Sequence, residues 1–142
     1  MLSKILAAVD GSDNSFRALG HAIFLAKKVE AHLTAIHVVE NPPTVYVESQ
    51  KLLNELLTKY KAESAKVLDR CKQAAEMSGV NIETVLAEGD AATNIVGYAQ
   101  REGGFDLVVI GSRGLGKFKE MVLGSTSSKV LHHTKSAILI VR

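Results

Sequence analysis

At 142 residues the chain has the length of one domain, and a protein of this size buries roughly 70% of its unfolded surface, enough for a real core. A composition of 46% hydrophobic and 23% charged residues excludes a disordered chain, while a net charge of +2 and the absence of Trp give no basis for nucleic acid or an anionic membrane as partner. Cys71 is the sole cysteine, which rules out an internal disulfide and a cysteine-rich metal site and points to a reducing cytoplasm.

The opening segment MLSKILAAVDGS has too short an apolar run for a signal peptide, and no run in the chain approaches a membrane span. Lys4–Val9 (KILAAV) reads as a strand buried on both faces, followed by a turn at Asp10-Gly11-Ser12. Phe16, Leu19, Ala22, Ile23, Ala26 and Val29 recur at helical spacing, which predicts a helix over 14–30 capped by Ser12 or Asp13. Ala31–Val39 is a second strand, stopped by Asn41-Pro42-Pro43; Pro42–Ser49 is the candidate flexible loop. Leu53, Leu56, Leu57, Tyr60, Ser64, Val67, Leu68, Cys71, Ala74 and Ala75 trace one face of a long second helix that stops at Ser78-Gly79. Asn81–Ala87 is a third strand. Gly89-Asp90 opens a third helix with Ala92, Ile95, Val96 and Ala99 inward, ended by Gly103-Gly104. Asp106–Ile110 is the fourth strand, Ser125 to Thr134 the fourth helix, and Ala137–Val141 the fifth strand.

Strands alternating with helices predict an α/β fold: three layers, α/β/α, around a five-stranded, mostly parallel sheet. Ligands of such folds sit at the carboxyl ends of the strands where the order reverses. Asp10-Gly11-Ser12 and the segment from Gly111 onward both lie at such ends.

The segment GSRGLGKFKEMVLGSTSS, Gly111 to Ser128, carries the chemistry. Gly111, Gly114 and Gly124 set the spacing G-x-x-G-x9-G-S, and the order strand, glycine loop, helix start gathers backbone N–H groups around a small anion. Two other phosphate motifs fail. Gly111-x4-Gly116-Lys117 nearly spells a Walker A loop, but Phe118 stands where the Mg²⁺-binding Ser or Thr belongs. Gly114-x-Gly116 begins a dinucleotide fingerprint, but Lys119 occupies the third glycine position and the motif follows the fourth strand.

These residues make the chain similar to the universal stress proteins, which carry V-D-G-S after the first strand, here Val9 to Ser12. They also carry D-L-[IV]-V-[IM]-G-[ST]-R-G at the fourth strand, here Asp106 to Gly114, and the G-S helix start, here Gly124 to Ser127. The likeness covers essentially the whole chain; Ser136 stands where many members have Pro, and Ala137 replaces a common Val. The resemblance implies a Rossmann-like, adenine nucleotide hydrolase-like five-stranded parallel sheet of order 3-2-1-4-5, and that the complete G-x-x-G-x9-G-[ST] pattern marks an ATP binder. It places Ala8, Val9 and Asp10 against the adenosine, with Asp10 near the ribose or a Mg or Mn ion. Val38 meets adenine through its main chain. Ile110, Gly111 and Gly114 border ribose and phosphate, and Gly124, Ser125, Thr126 and Ser127 hold the phosphates through N–H and hydroxyl groups.

Plainer readings stand beside these. Ser125 serves equally as an N-cap worth about 1 kcal/mol, and Asp10 as the acceptor of a turn. Arg113, with Lys117 and Lys119, reads as a solvated loop face whose sign suits a polyanion. His21, His32, His37, His132 and His133 form no metal motif, Cys71 fits the core, and Ser12, Ser112 and Ser125 lack a G-x-S-x-G elbow. Gly11 to Ser15 only partly matches the S-G-G-x-D-S loop of ATP pyrophosphatases. The leading expectation is a cytoplasmic ATP-binding stress protein whose nucleotide state alters the surface offered to a regulatory partner, and which dimerises through residues 137–141. A slow ATPase or phosphotransferase, with Asp10 as its only candidate base or metal ligand, and a nucleotide-free interaction module are the rivals.

Overall fold

The computed structural model describes residues 1–40, 49–101, 103–113 and 123–142. Expectations placed on Asn41, Pro42 and Pro43, on the candidate loop before Ser49, and on Gly114, Gly116, Lys117, Phe118 and Lys119 lie outside the described residues.

The elements run β1 (Lys4–Ala8), α1 (Asp13–Val29), β2 (His32–Val39), α2 (Gln50–Met77), β3 (Ile82–Glu88), α3 (Ala91–Ala99), β4 (Leu107–Gly111), α4 (Ser125–His133) and β5 (Ala137–Val141). All neighbouring strands pair in parallel, in the order β3-β2-β1-β4-β5. β1, β2 and β4 make the sheet centre because both faces of those strands are largely buried, with Thr34 and His37 the buried polar residues of β2. On one face Ile5, Ala7, Val9, Leu33, Ala35 and Val109 meet Leu19, Ala22 and Ala26 of α1 and Cys71 and Ala75 of α2. On the other, Leu6, Ala8, Ile36, Val108 and Ile110 meet Ala92, Ile95 and Ala99 of α3 and Val130 of α4.

Two predicted core positions are corrected. Leu57 is 39% exposed and Val29 is 45% exposed. A helix of 28 residues such as α2 is about 42 Å long, whereas an eight-residue strand spans about 26 Å, so the first turns of α2 overhang the sheet. Val29 closes α1, and the chain swings away at Glu30 with φ 55. A third expectation shifts: α3 ends at Ala99 with Gln100 as its C-cap, ahead of the two glycines, which form the turn into β4.

The amino ends of the central strands are tied shut. Asp106 Oδ2 accepts from Ser3 N–H at 2.8 Å, Ser3 Oγ–H at 2.8 Å and Lys4 N–H at 2.9 Å. Those donors, the Ser3 amide first, hold the Asp106 carboxyl below the usual carboxylate range. The Asp of the D-L-V-V-I motif is thus a clasp between β1 and β4, at the end opposite the glycines. The carboxyl ends remain open: β1 leads through α1 toward β2 and β4 leads through α4 toward β5, so their connections diverge and leave a crevice between them.

Candidate functional site

The first wall of the crevice is the turn after β1. Val9 N–H donates to the Ile36 carbonyl at 2.9 Å, the last ladder bond from β1 to β2. Asp10 Oδ1 then accepts from Ser12 N–H at 2.9 Å, and Asp10 N–H donates to Ser15 Oγ at 3.3 Å. Gly11 makes the bend with φ +94, and a Cβ there would stand 3.2 Å from Val67 of α2. Ser12 closes the unit as N-cap of α1, its Oγ accepting from Ser15 N–H at 3.1 Å. One Asp10 oxygen is therefore committed to the turn. Ala8 and Val9 are buried and offer main chain only.

The second wall follows β4. Gly111 is needed for packing: a Cβ there would collide with the Asn14 side chain of α1, whose Cγ lies 2.9 Å away. Asn14 is itself 7% exposed and was missed by sequence reasoning. Its Nδ2–H donates to the Val141 carbonyl at 3.1 Å and its Oδ1 accepts from Arg113 N–H at 2.9 Å, so one side chain braces α1, β5 and the chain leaving β4. No local pattern separates it from the other polar residues of Asp10 to Ser15. Ile110 is buried in the α3/α4 cluster beside Val130 and Val108. The Arg113 side chain is exposed.

The third wall is the start of α4. Ser112 N–H donates to the Val141 carbonyl at 2.8 Å and the Ser112 carbonyl accepts from Gly124 N–H at 2.8 Å, so the strand end and the helix start are pinned together. Gly124, not Ser125, is the N-cap, and it supplies no side-chain cap. The other helices differ: Ser12 caps α1, Ser49 caps α2 and Asp90 caps α3, each through a side-chain oxygen. The first amides of α4, on exposed Ser125, half-buried Thr126 and buried Ser127, thus lack the acceptor the other helices carry. Among the described residues no side-chain acceptor meets the positive end of the α4 dipole. The Ser127 hydroxyl is spent inward, donating to the Gly111 carbonyl at 2.6 Å, so Ser127 brings only its N–H to this surface.

Val38 lies at the last turn of β2. Ile36 faces β1 through its main chain, and Val38, two residues on, points its N–H and C=O the same way, beyond the end of β1. His37, next to it, is 9% exposed, and its Nδ1 lies 2.7 Å from the Val9 carbonyl. A carbonyl only accepts, so Nδ1 carries the proton. His37 was read from sequence as structural or exposed; it is structural and borders the crevice. His21, His132 and His133 are exposed. Among the described residues there is no group of three or more His, Cys, Asp or Glu that could hold a metal ion. Cys71 is fully buried, and burial, opposed only by the nearby Arg70, pushes its thiol up to about 11, so it is an inert core residue.

A parallel sheet with one order reversal and helices on both faces define a doubly wound, Rossmann-like α/β protein, and the start of α4, which has no side-chain cap, lies at the reversal. The chain belongs to the universal stress protein family: the family model matches residues 1–142. Universal stress protein YxiE of Bacillus subtilis is 39% identical, with all of both chains covered. The structure of universal stress protein UspA from Lactobacillus plantarum superposes with a TM-score of 0.85 at 28% identity, covering 99% of this chain and 97% of that one. A family protein of Arabidopsis thaliana, solved with AMP bound, shares the fold with a TM-score of 0.72 at 19% identity, covering 98% of this chain and 90% of that one.

Proposed function

We propose that the protein binds an adenine nucleotide, ATP, across the carboxyl edge of the sheet, with the phosphates on the start of α4 and the base against Val38. The observation that carries this reading is the missing cap: α4 alone among the four helices begins with a residue that offers no side-chain acceptor to its first amides. A phosphate oxygen supplies that acceptor and gains the helix dipole. At the level of the fold alone, the Arabidopsis protein with AMP bound agrees.

In this reading the amides of Ser125, Thr126 and Ser127 hold the terminal phosphates, the Thr126 hydroxyl adds a donor, and exposed Arg113 lends charge. Gly111 and Gly124 contribute through close main-chain approach. Asp10 retains one carboxylate oxygen for the ribose or for a Mg or Mn ion whose other ligands the phosphates supply. The chain is then a cytoplasmic module whose nucleotide state is read by a protein partner, and it dimerises by pairing β5, a sheet edge, with β5 of a second copy. Mass spectrometry of whatever co-purifies, followed by calorimetric titration with ATP and AMP, tests the nucleotide. A stripped protein that gives neither heat nor a thermal shift with either would overturn the reading. Gel filtration at micromolar concentration showing only monomer would remove the dimer.

A further inference from the structure

We infer that His37 is a positioning residue for the base: its imidazole occupies the acceptor that would otherwise extend the β1–β2 ladder, and so keeps the Val38 main chain open to a 6-aminopurine. The inference rests on the nucleotide reading above for its ligand, and on the sheet's own geometry for its mechanism.

The parallel ladder runs with Ala8 opposite Ile36, and Val9 N–H donates to the Ile36 carbonyl at 2.9 Å. In a parallel pair, the next bond along this edge is Val38 N–H to the Val9 carbonyl. That bond is not made. The Val9 carbonyl instead accepts from His37 Nδ1–H at 2.7 Å, and the chain turns off at Asp10, whose N–H goes to Ser15 Oγ. Among the described residues Val38 N–H has no main-chain partner on the β1 side. The strand pair is therefore stopped one bond short by a buried side chain.

The consequence is chemical. Val38 presents a donor and an acceptor side by side, both directed past the end of β1. The six-membered-ring edge of adenine offers the matching pair, the N1 acceptor and the N6 amino donor, whereas guanine offers an N1–H donor and an O6 acceptor in those places. A closed Val38–Val9 bond would remove the donor and leave the base with one anchor. The role of His37 is thus to hold its neighbour's backbone unpaired, which explains why a polar ring sits 9% exposed at the end of an otherwise apolar strand.

The test has two arms. In the first, without ligand, amide hydrogen exchange of ¹⁵N-labelled protein is compared for wild type, His37→Leu and His37→Asn. Val38 is expected to exchange at least about ten-fold faster than Ile36 in wild type and to become protected in His37→Leu, with an intermediate rate in His37→Asn, whose amide keeps a donor. In the second arm, ATP, GTP and inorganic tripolyphosphate are titrated into each protein. Loss of one base hydrogen bond is expected to weaken ATP by about ten-fold in His37→Leu and to shrink the preference for ATP over GTP, with tripolyphosphate affinity unchanged. Thermal unfolding of both variants separates a local effect from a failure to fold; should His37→Leu not fold, His37→Asn and the wild-type exchange rates decide. A slowly exchanging Val38 in wild type, or unchanged exchange together with unchanged ATP affinity in the variants, would overturn the inference. A wild type that takes no nucleotide counts against the proposed function, and the exchange arm still decides the role of His37.

Discussion

The starts of α1 and α4 lie at the same edge of the same sheet and are built in opposite ways. α1 satisfies itself: Ser12 accepts from Ser15 N–H, Ser15 returns its hydroxyl to the Ser12 carbonyl at 2.8 Å, and Asp10 takes the Ser12 amide. α4 begins on Gly124, has no side-chain cap, and turns its one buried hydroxyl, Ser127, back toward Gly111. The lesson is that stability and binding compete for the same amides. A helix start with its own acceptor is finished, and one without is a site for an external anion.

The contrast can be broken hardest at its hinge. Gly111→Val drives a branched side chain into Asn14 and sacrifices that residue's bonds to Val141 and Arg113. A loss of about 2–3 kcal/mol is expected from overpacking and unmade bonds, read as a lower urea midpoint at unchanged m-value. Next comes conversion of the open start into a closed one. Gly124→Asp keeps an ordinary φ of −59, but its Cβ would stand 3.3 Å from the Ser112 carbonyl oxygen, a tight contact that requires this main-chain group to give way. It gives α4 an acceptor and a negative charge whose gain the crowding at Ser112 offsets, so thermal unfolding should change little while ATP affinity falls by about ten-fold by calorimetry. Unchanged ATP affinity would separate the helix start from the binding site.

The reverse change sharpens the comparison. Ser12→Ala should cost about 1 kcal/mol in denaturant unfolding by opening the start of α1. The same change at Ser125 should cost much less, because that residue caps nothing. The smallest effect is on acid. The Thr93 hydroxyl and amide hold the Asp90 carboxyl below its ordinary value at the start of α3. A group whose folded pKa is depressed contributes stability above its unfolded value, near 3.9, and loses it as pH falls through the folded one. Acidification below about pH 4 should therefore erode wild type slightly more than Asp90→Asn, followed by circular dichroism, and should leave the uncapped α4 start unaffected.

Much of the frame could be read from one chain of letters. The apolar runs at Lys4, Ala31 and Asp106 and the helical stripes between them mark the strands and α1 to within a residue or two, because burial periodicity is a local property, while the start of α2 and the end of α3 fall about three residues away. The V-D-G-S and D-L-V-V-I-G-S-R-G segments carried the resemblance that implied the strand order and the edge where a ligand would lie. Reading failed where a residue's partner is remote. Asn14 reaches an atom 127 positions away, and nothing near it in the chain signals that. The Ser127 hydroxyl donates to the Gly111 carbonyl, 16 positions away, and the cap position falls on Gly124 rather than Ser125. Leu57 continued a stripe that outlasts the sheet beneath it.

The sequence by itself therefore determined the elements and their parallel pairing, since each follows from side-chain size and spacing along a local stretch. Only the tertiary structure decided which polar atoms at that edge are already satisfied: Asn14, Ser127 and His37 consume side-chain hydrogen bonds internally, while among the described residues α4 has no side-chain cap and Val38 N–H has no main-chain partner on the β1 side. Hydrogen bonds need angstrom-scale proximity and direction, and the folded arrangement alone brings groups so distant in the chain within that range.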